Sequence, residues 1–166
     1  MGLRALAAVL MAVGGADHPP RLERLERLYQ DITAGLSRGR TLGGCRIVPE
    51  HGSLLVCREA KAMAAAVAAR PGTTINWDGR FKLTLSSDGP SGLTLGALGP
   101  VKIGPSGRLL PALARVAVAA LRDDRGIFAV PALGYRRDRG ETGGPAPEAV
   151  LLRTSRPVTG AGVKVV

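Results

Sequence analysis

Aromatic side chains are scarce in this chain of 166 residues: Trp77, Tyr29, Tyr135, Phe81 and Phe128 are 3% of it. Its core must therefore be built from Ala, Leu and Val, between the many turns that 23 glycines and 12 prolines impose. Cysteine is as sparse. Cys45 and Cys57 are too few for the disulfide framework of a small secreted domain, and without a nearby third ligand they make a poor zinc site. The only histidines, His18 and His51, fall in predicted turns with no Cys, Asp or Glu at metal-ligand or triad spacing, which leaves them as surface residues and gives no metal site. No Gly-x-Ser-x-Gly elbow occurs, and no catalytic pair emerges. No run of 18 apolar residues occurs either, so no membrane-spanning helix is expected. Acidic residues are in deficit. Thirteen acids face 23 bases, a formal charge of +10, which favours polyanionic partners through the summed field. Nineteen of the bases are Arg and four are Lys, a composition that GC-rich coding also produces without selection for binding.

What is present reads as an α+β chain: a helical linker pair over residues 1–38, a mixed module of β-hairpins with one or two helices over 41–153, and a flexible tail over 154–166. Leu3, Leu6, Leu10 and Val13 form one helical stripe that Gly14-Gly15 ends. A signal peptide, suggested by Arg4 and the apolar run after it, is the alternative. A second amphipathic helix starts after Pro20, with Leu22, Leu25, Leu28 or Tyr29, Ile32 and Leu36 at helical period and charges of alternating sign outside.

From Thr41 the period falls to two. Residues 41–48 and 53–58 read as a hairpin turning over Pro49-Glu-His-Gly52, and a pivot at His51 places Cys45 opposite Cys57 and Ile47 opposite Leu55. That register permits a disulfide in a secreted basic domain; without a convincing signal, two reduced thiols are the reading. The Ala-rich stretch 59–70 is expected to be a short helix or loop. Thr73–Trp77 and Phe81–Leu85 flank an Asp78-Gly79 turn signal, Leu93–Leu98 reads as a strand, and Arg108–Leu121 as a helix with Pro111 in its first turn. Asp123 and Asp124 would end that helix. Ile127–Val130 and Ala149–Leu152 are expected to be strands paired with each other.

The Gly14-Gly-Ala-Asp17 stretch imitates a phosphate-cradling loop of PP-loop ATPases but lacks its parts. Val13 and His18 stand where that loop has serines, and Pro19-Pro20 bring no N–H donors. The remaining candidates are cations: Arg46, Arg58, Arg80, Lys82, Arg136, Arg137 and Arg139 as phosphate contacts on one basic surface, with Trp77 as a base-stacking platform or, in the competing reading, a core anchor.

Gly14-Gly15, the Pro-Pro-Arg21 helix start, Thr41-Leu-Gly-Gly-Cys-Arg46, Cys57-Arg-Glu59, Trp77-Asp-Gly-Arg-Phe81, Leu95-Gly-Ala-Leu-Gly99 and Val130-Pro-Ala-Leu-Gly-Tyr135 follow one another in an informative order. Together they resemble the C-terminal half of a bacterial tRNA(Ile)-lysidine synthase of the alphaproteobacterial type, collinearly over roughly residues 1–135. That family uses ATP to join lysine to the wobble cytidine of an isoleucine tRNA through an adenylated intermediate. Its ATPase domain, with a Ser-Gly-Gly-x-Asp-Ser loop, has no counterpart here. The resemblance therefore implies the tRNA-binding portion of a cytoplasmic carbon–nitrogen ligase, inactive by itself, with ATP and magnesium belonging to the unmatched domain and no cofactor of its own. It implies tRNA as partner, no membrane, and a catalytic domain docking on helices 1–38. Met1 is then an internal start, a truncated gene or an artificial boundary. The alternative is a structural or protein-interaction module whose basicity is compositional.

Overall fold

The computed structural model describes residues 2–50, 52–103, 110–137, 148–151 and 163–165. Three helices are described: α1 (Leu3–Gly14), α2 (Leu22–Thr33) and the single turn α3 (Ala112–Arg115). The strands are β1 (Arg40–Leu42), β2 (Cys45–Glu50), β3 (Ser53–Arg58), β4 (Val67–Ala69), β5 (Thr74–Trp77), β6 (Phe81–Thr84), β7 (Leu93–Ala97), β8 (Ala119–Asp123), β9 (Gly126–Val130), β10 (Tyr135–Arg136), β11 (Glu148–Leu151) and β12 (Val163–Val165). The α+β class expected from the sequence is the class observed.

Two compact units result, one from residues 1–62 with 153–166 and one from 63–152. In the first, a sheet of order β1-β2-β3-β12 carries α1 and α2. The helical stripes close onto this sheet: Leu6, Val9, Leu10 and Val13 of α1 and Leu25 and Leu28 of α2 share one core with Cys45, Ile47 and Val56. The helices are thus an integral layer of the unit and no linker that stops at residue 38. Neither do their stripes form a free docking face, since Leu6 and Leu10 are fully buried and only Leu22 stands out, 61% exposed. Part of the expected tail is ordered as well, because β12 pairs in parallel with β3, Val163 opposite Leu54. Residues 152–162 and 166 lie outside the described residues.

Gly43 and Gly44 join β1 to β2, Leu42 opposite Cys45, and both have positive φ (59° and 71°). That is the signature of the two-residue turn whose twist matches the strands, and it needs residues at ease with φ above zero. The turn is pressed against the end of α1. A β-carbon on Gly14 would lie far inside contact distance of the Gly43 carbonyl oxygen, and the Cys45 thiol donates to the Leu10 carbonyl oxygen at 3.3 Å.

The register of β2 and β3 corrects the sequence reading. Glu50 lies opposite Ser53, so Cys45 pairs with Arg58, Arg46 with Cys57, and Ile47 with Val56. The shift of one residue follows from the strands running on through Pro49 and Glu50, and it turns the cysteines to opposite faces. Both are buried free thiols, with no disulfide between them. His51 lies outside the described residues.

The second unit has a five-stranded sheet of order β10-β9-β8-β7-β4 and a three-stranded sheet of order β11-β6-β5. Trp77, Phe81 and Leu83 of the smaller sheet share a core with Leu93, Leu95, Leu121 and Phe128 of the larger. The segment 108–121 departs from expectation: α3 is four residues long and β8 takes over at Ala119. Ala119, Ala120 and Leu121 are buried between β7 and β9, and a short apolar run in a central strand has no alternation to separate it from a helix. Asp123 is accordingly at a hairpin end, facing Gly126, and closes no helix. The two late apolar runs pair elsewhere, β9 with β8 and β10, and β11 with β6. The Ala-rich stretch forms a 3₁₀ turn over Ala60–Ala62 and then β4.

The hairpin of β5 and β6 is closed by Asp78 and Gly79, again both at positive φ (56° and 64°), with the Arg80 amide donating to the Trp77 carbonyl at 3.2 Å. The turn is fastened by its side chains as well. The Asp78 carboxylate accepts from the Ala64 amide (2.9 Å) and from Arg80 Nε (2.7 Å), and Arg80 Nη2 donates to the Ala117 carbonyl (2.7 Å). Trp77 is 1% exposed, donates Nε1–H to the Ala65 carbonyl at 3.0 Å and stacks near Phe81 at 6.0 Å between ring centroids. A ring so enclosed is a core anchor and no base-stacking platform.

Two stability predictions follow from this packing. Gly14→Ala should destabilise by about 1–3 kcal/mol, because the Gly43 carbonyl belongs to a taut turn and has nowhere to go, while Gly39→Ala stays near neutral. Trp77→Ala should cost about 3–5 kcal/mol. Urea titrations read by circular dichroism check both, and a Gly14→Ala midpoint equal to wild type would remove the close-approach argument.

Candidate nucleic-acid interface

Six of the seven cations singled out from the sequence now have a place. Arg46 and Arg58 belong to the first unit, and Arg80, Lys82, Arg136 and Arg137 to the second. Arg139 lies outside the described residues. Alternation decides the fate of the first two. Along β2, Cys45 and Ile47 point into the core and Arg46 points out, exposed. Arg58 pairs with the inward Cys45, and at 9% exposure its guanidinium is spent internally, Nη1 donating to the Gly44 carbonyl at 3.0 Å and Nη2 to the Ala62 carbonyl. A buried cation of this kind needs its acceptors, and a phosphate has no access to it.

Arg80 is the same case in the second unit: 8% exposed, bonded to Asp78 and Ala117, and lying 4.7 Å over the Phe81 ring. Lys82, on the outward face of β6 between Phe81 and Leu83, is exposed. Arg136 and Arg137 are half-buried, and both lie over Phe128, at 5.5 and 6.0 Å from its centroid. Arg137 also donates to the Asp123 carboxylate and, at 3.4 Å, to the Ile127 carbonyl. That bond from Arg137, with lesser help from the Arg125 amide, holds the Asp123 carboxyl below the usual carboxylate range against a smaller cost of desolvation. Arg58 and Arg80, singled out as interface candidates, are thus buried, and for Trp77 the core-anchor reading is the one the structure matches. Each has at least one backbone-carbonyl partner twelve or more residues away, Gly44 for Arg58, Ala117 for Arg80 and Ala65 for Trp77, which no local pattern announces.

Sequence reasoning also passed over two cations. Arg40 and Lys61 line an open groove of about 610 Å³ in the first unit together with Thr41, Arg46 and Glu59. Thr41 and Arg46 face each other across the β1–β2 hairpin. Arg40 is tied at one side, its Nε donating to Asp31 at 2.9 Å. Arg46 and Lys61 are exposed, and neither has an ion-pair partner among the described residues. A signal for the groove existed, since Cys57-Arg-Glu-Ala-Lys61 places its charges just past the end of a strand that must turn.

The groove has no nucleophile poised beside it. Burial pushes the Cys57 thiol up, the Arg46 charge only partly opposing this, so the group stays a neutral thiol around pH 7. Among the described residues no three of His, Cys, Asp and Glu come together to hold a metal ion, and His18 is exposed. No helix among them is long and apolar enough to cross a membrane. What the arrangement offers is charge, hydrogen-bond donors and one carboxylate acceptor in a concave, rigidly framed surface.

No protein-family model matches the chain, and no solved structure does. Among curated proteins it is similar to the tRNA(Ile)-lysidine synthase of Caulobacter vibrioides, 39% identical over 82 residues, which are 47% of this chain and 20% of that protein. The tRNA(Ile)-lysidine synthase of Hyphomonas neptunium is 39% identical over 72 residues (43% of this chain, 20% of that one), and that of Rhizobium meliloti 36% over 89 residues (53% and 19%). The matched stretch thus spans about a fifth of the length of these relatives. Over that stretch the chain is similar to the tRNA(Ile)-lysidine synthases of these organisms.

Proposed function

We propose that this chain is a tRNA-binding part of a tRNA(Ile)-lysidine synthase, the cytoplasmic ligase that attaches lysine to the wobble cytidine of an isoleucine tRNA at the expense of ATP. On this reading it holds the substrate by its phosphates, while ATP, magnesium and the bond-making steps belong to a catalytic domain whose phosphate loop this sequence does not carry. The observation that supports it best is the pair of exposed cations, Arg46 and Lys61, left in a groove without an ion-pair partner among the described residues, whereas Arg58 and Arg80 are absorbed by backbone carbonyls. Exposed cations held on strand and turn backbone are suited to phosphate contacts, which set affinity and register without reading sequence. The competing reading, a module that docks a protein through α1 and α2, loses its motive because the apolar stripes of both helices are buried in the chain's own core.

Filter binding of a tRNA(Ile) transcript, titrated at several salt concentrations, tests the proposal. For about five phosphates contacted, the plot of log affinity against log salt should slope at about −3.5 to −4.5. Binding that is absent at the lowest salt removes the reading. Arg80→Gln should lower the melting temperature whatever its effect on RNA, whereas Lys82→Gln should leave melting unchanged to within about 0.5 kcal/mol of stability.

A further inference from the structure

The groove between the β1–β2 hairpin and the 3₁₀ turn carries a chemical contradiction: among its cations stands a carboxylate, Glu59, that would repel a bare phosphate. The backbone that carries this carboxylate is held in place. The Glu59 amide donates to the Gly44 carbonyl at 2.8 Å, and the buried Arg58 guanidinium bridges the same Gly44 carbonyl to that of Ala62, at the end of the turn that carries Lys61. Arg46, two residues past Gly44, is held by its ladder partners Thr41 and Cys57. Arg58 is thus a positioning residue: it locks Glu59 and Lys61 to the hairpin that presents Arg46.

A ligand that satisfies this set must offer negative charge to Arg46 and Lys61 and a hydrogen-bond donor to Glu59. A ribonucleotide backbone has both at every step, since each ribose places a 2′-hydroxyl beside its phosphate, and deoxyribose removes only that donor. A concavity of about 610 Å³ is within the range that accommodates a small-molecule-sized group. We propose that this groove is a ribose-reading backbone site, in which Arg46 and Lys61 take phosphates of one RNA strand and Glu59 accepts the 2′-hydroxyl between them. The inference rests on the tRNA-binding reading above and deepens it. The site selects RNA over DNA and is indifferent to base sequence.

The test uses the whole chain with three probes: the tRNA(Ile) transcript, a single-stranded RNA 12-mer and the DNA 12-mer of the same sequence. Arg46→Gln with Lys61→Gln should lower affinity for the tRNA and the RNA 12-mer about tenfold, and reduce the magnitude of the salt slope by about 1.4–1.8, two phosphates' worth. Arg4→Gln with Arg24→Gln, which removes equal charge from exposed helix positions, should have a clearly smaller effect. Glu59→Gln keeps an acceptor but loses the repulsive charge, so it should raise DNA affinity and narrow the RNA-to-DNA preference severalfold. If the groove pair and the helix pair cost the same, or if Glu59→Gln shifts RNA and DNA equally, the site is overturned while tRNA binding stands. If the RNA 12-mer binds through Arg46 and Lys61 but the tRNA does not bind, the tRNA reading fails and the site survives. Binding of neither overturns both.

Discussion

The structure depends on guanidinium groups turned inward to backbone carbonyls. With 35 Gly and Pro in 166 residues, much of the chain is turn and crossing, and such segments bring carbonyl oxygens into the interior without a ladder partner. Arginine answers this with several donors on one rigid plane. Arg58 joins Gly44 to Ala62, Arg80 joins Asp78 to Ala117, and Arg122 joins the carbonyls of Ala97 and Leu98, each at 2.7 Å. In each case two segments are fastened to each other by one long polar side chain. A core short of aromatic rings is compatible with a defined fold on these terms.

This arrangement changes what the net charge means. A formal +10 suggests a surface covered in binding cations, yet Arg58, Arg80, Arg122 and Arg137 are occupied within their own units. The charges that remain available are fewer and better placed. Arg46 and Lys61 stand where strand alternation and a fixed turn put them, so little side-chain and backbone freedom is lost when a polyanion arrives. Arg136 and Arg137 show the intermediate condition, stacked over Phe128 with part of their surface still open.

Legibility of the sequence varied with the range of the interaction. The Asp78-Gly79 turn, the stripes of α1 and α2, and the strands β3, β5 and β6 are local matters, and residue type announced them; the Gly43-Gly44 turn escaped, because residues 41–48 read as one strand. The one-residue register shift between β2 and β3 escaped because Pro49, which reads as the start of a turn, is taken up with Glu50 as strand at an edge of the pairing. The segment 108–121 escaped because Ala and Leu favour helix locally while burial between β7 and β9 favours strand, and the sheet prevailed. At the candidate interface, Arg46 was legible from alternation alone. Arg58 and Arg80 were not, since whether an arginine faces solvent or a carbonyl is decided by residues up to 37 positions away.

The parallel pairing of β12 with β3 has a further consequence. Residues 63–152 form a unit of their own, threaded into the sequence of the first, whose sheet is completed only by Val163–Val165. As the polypeptide leaves the ribosome, β3 must wait for more than a hundred amino acids before its last neighbour exists, presenting until then an open edge of amides and carbonyls to any passing strand. Nascent chains arrested before that point are the species most exposed to mispairing.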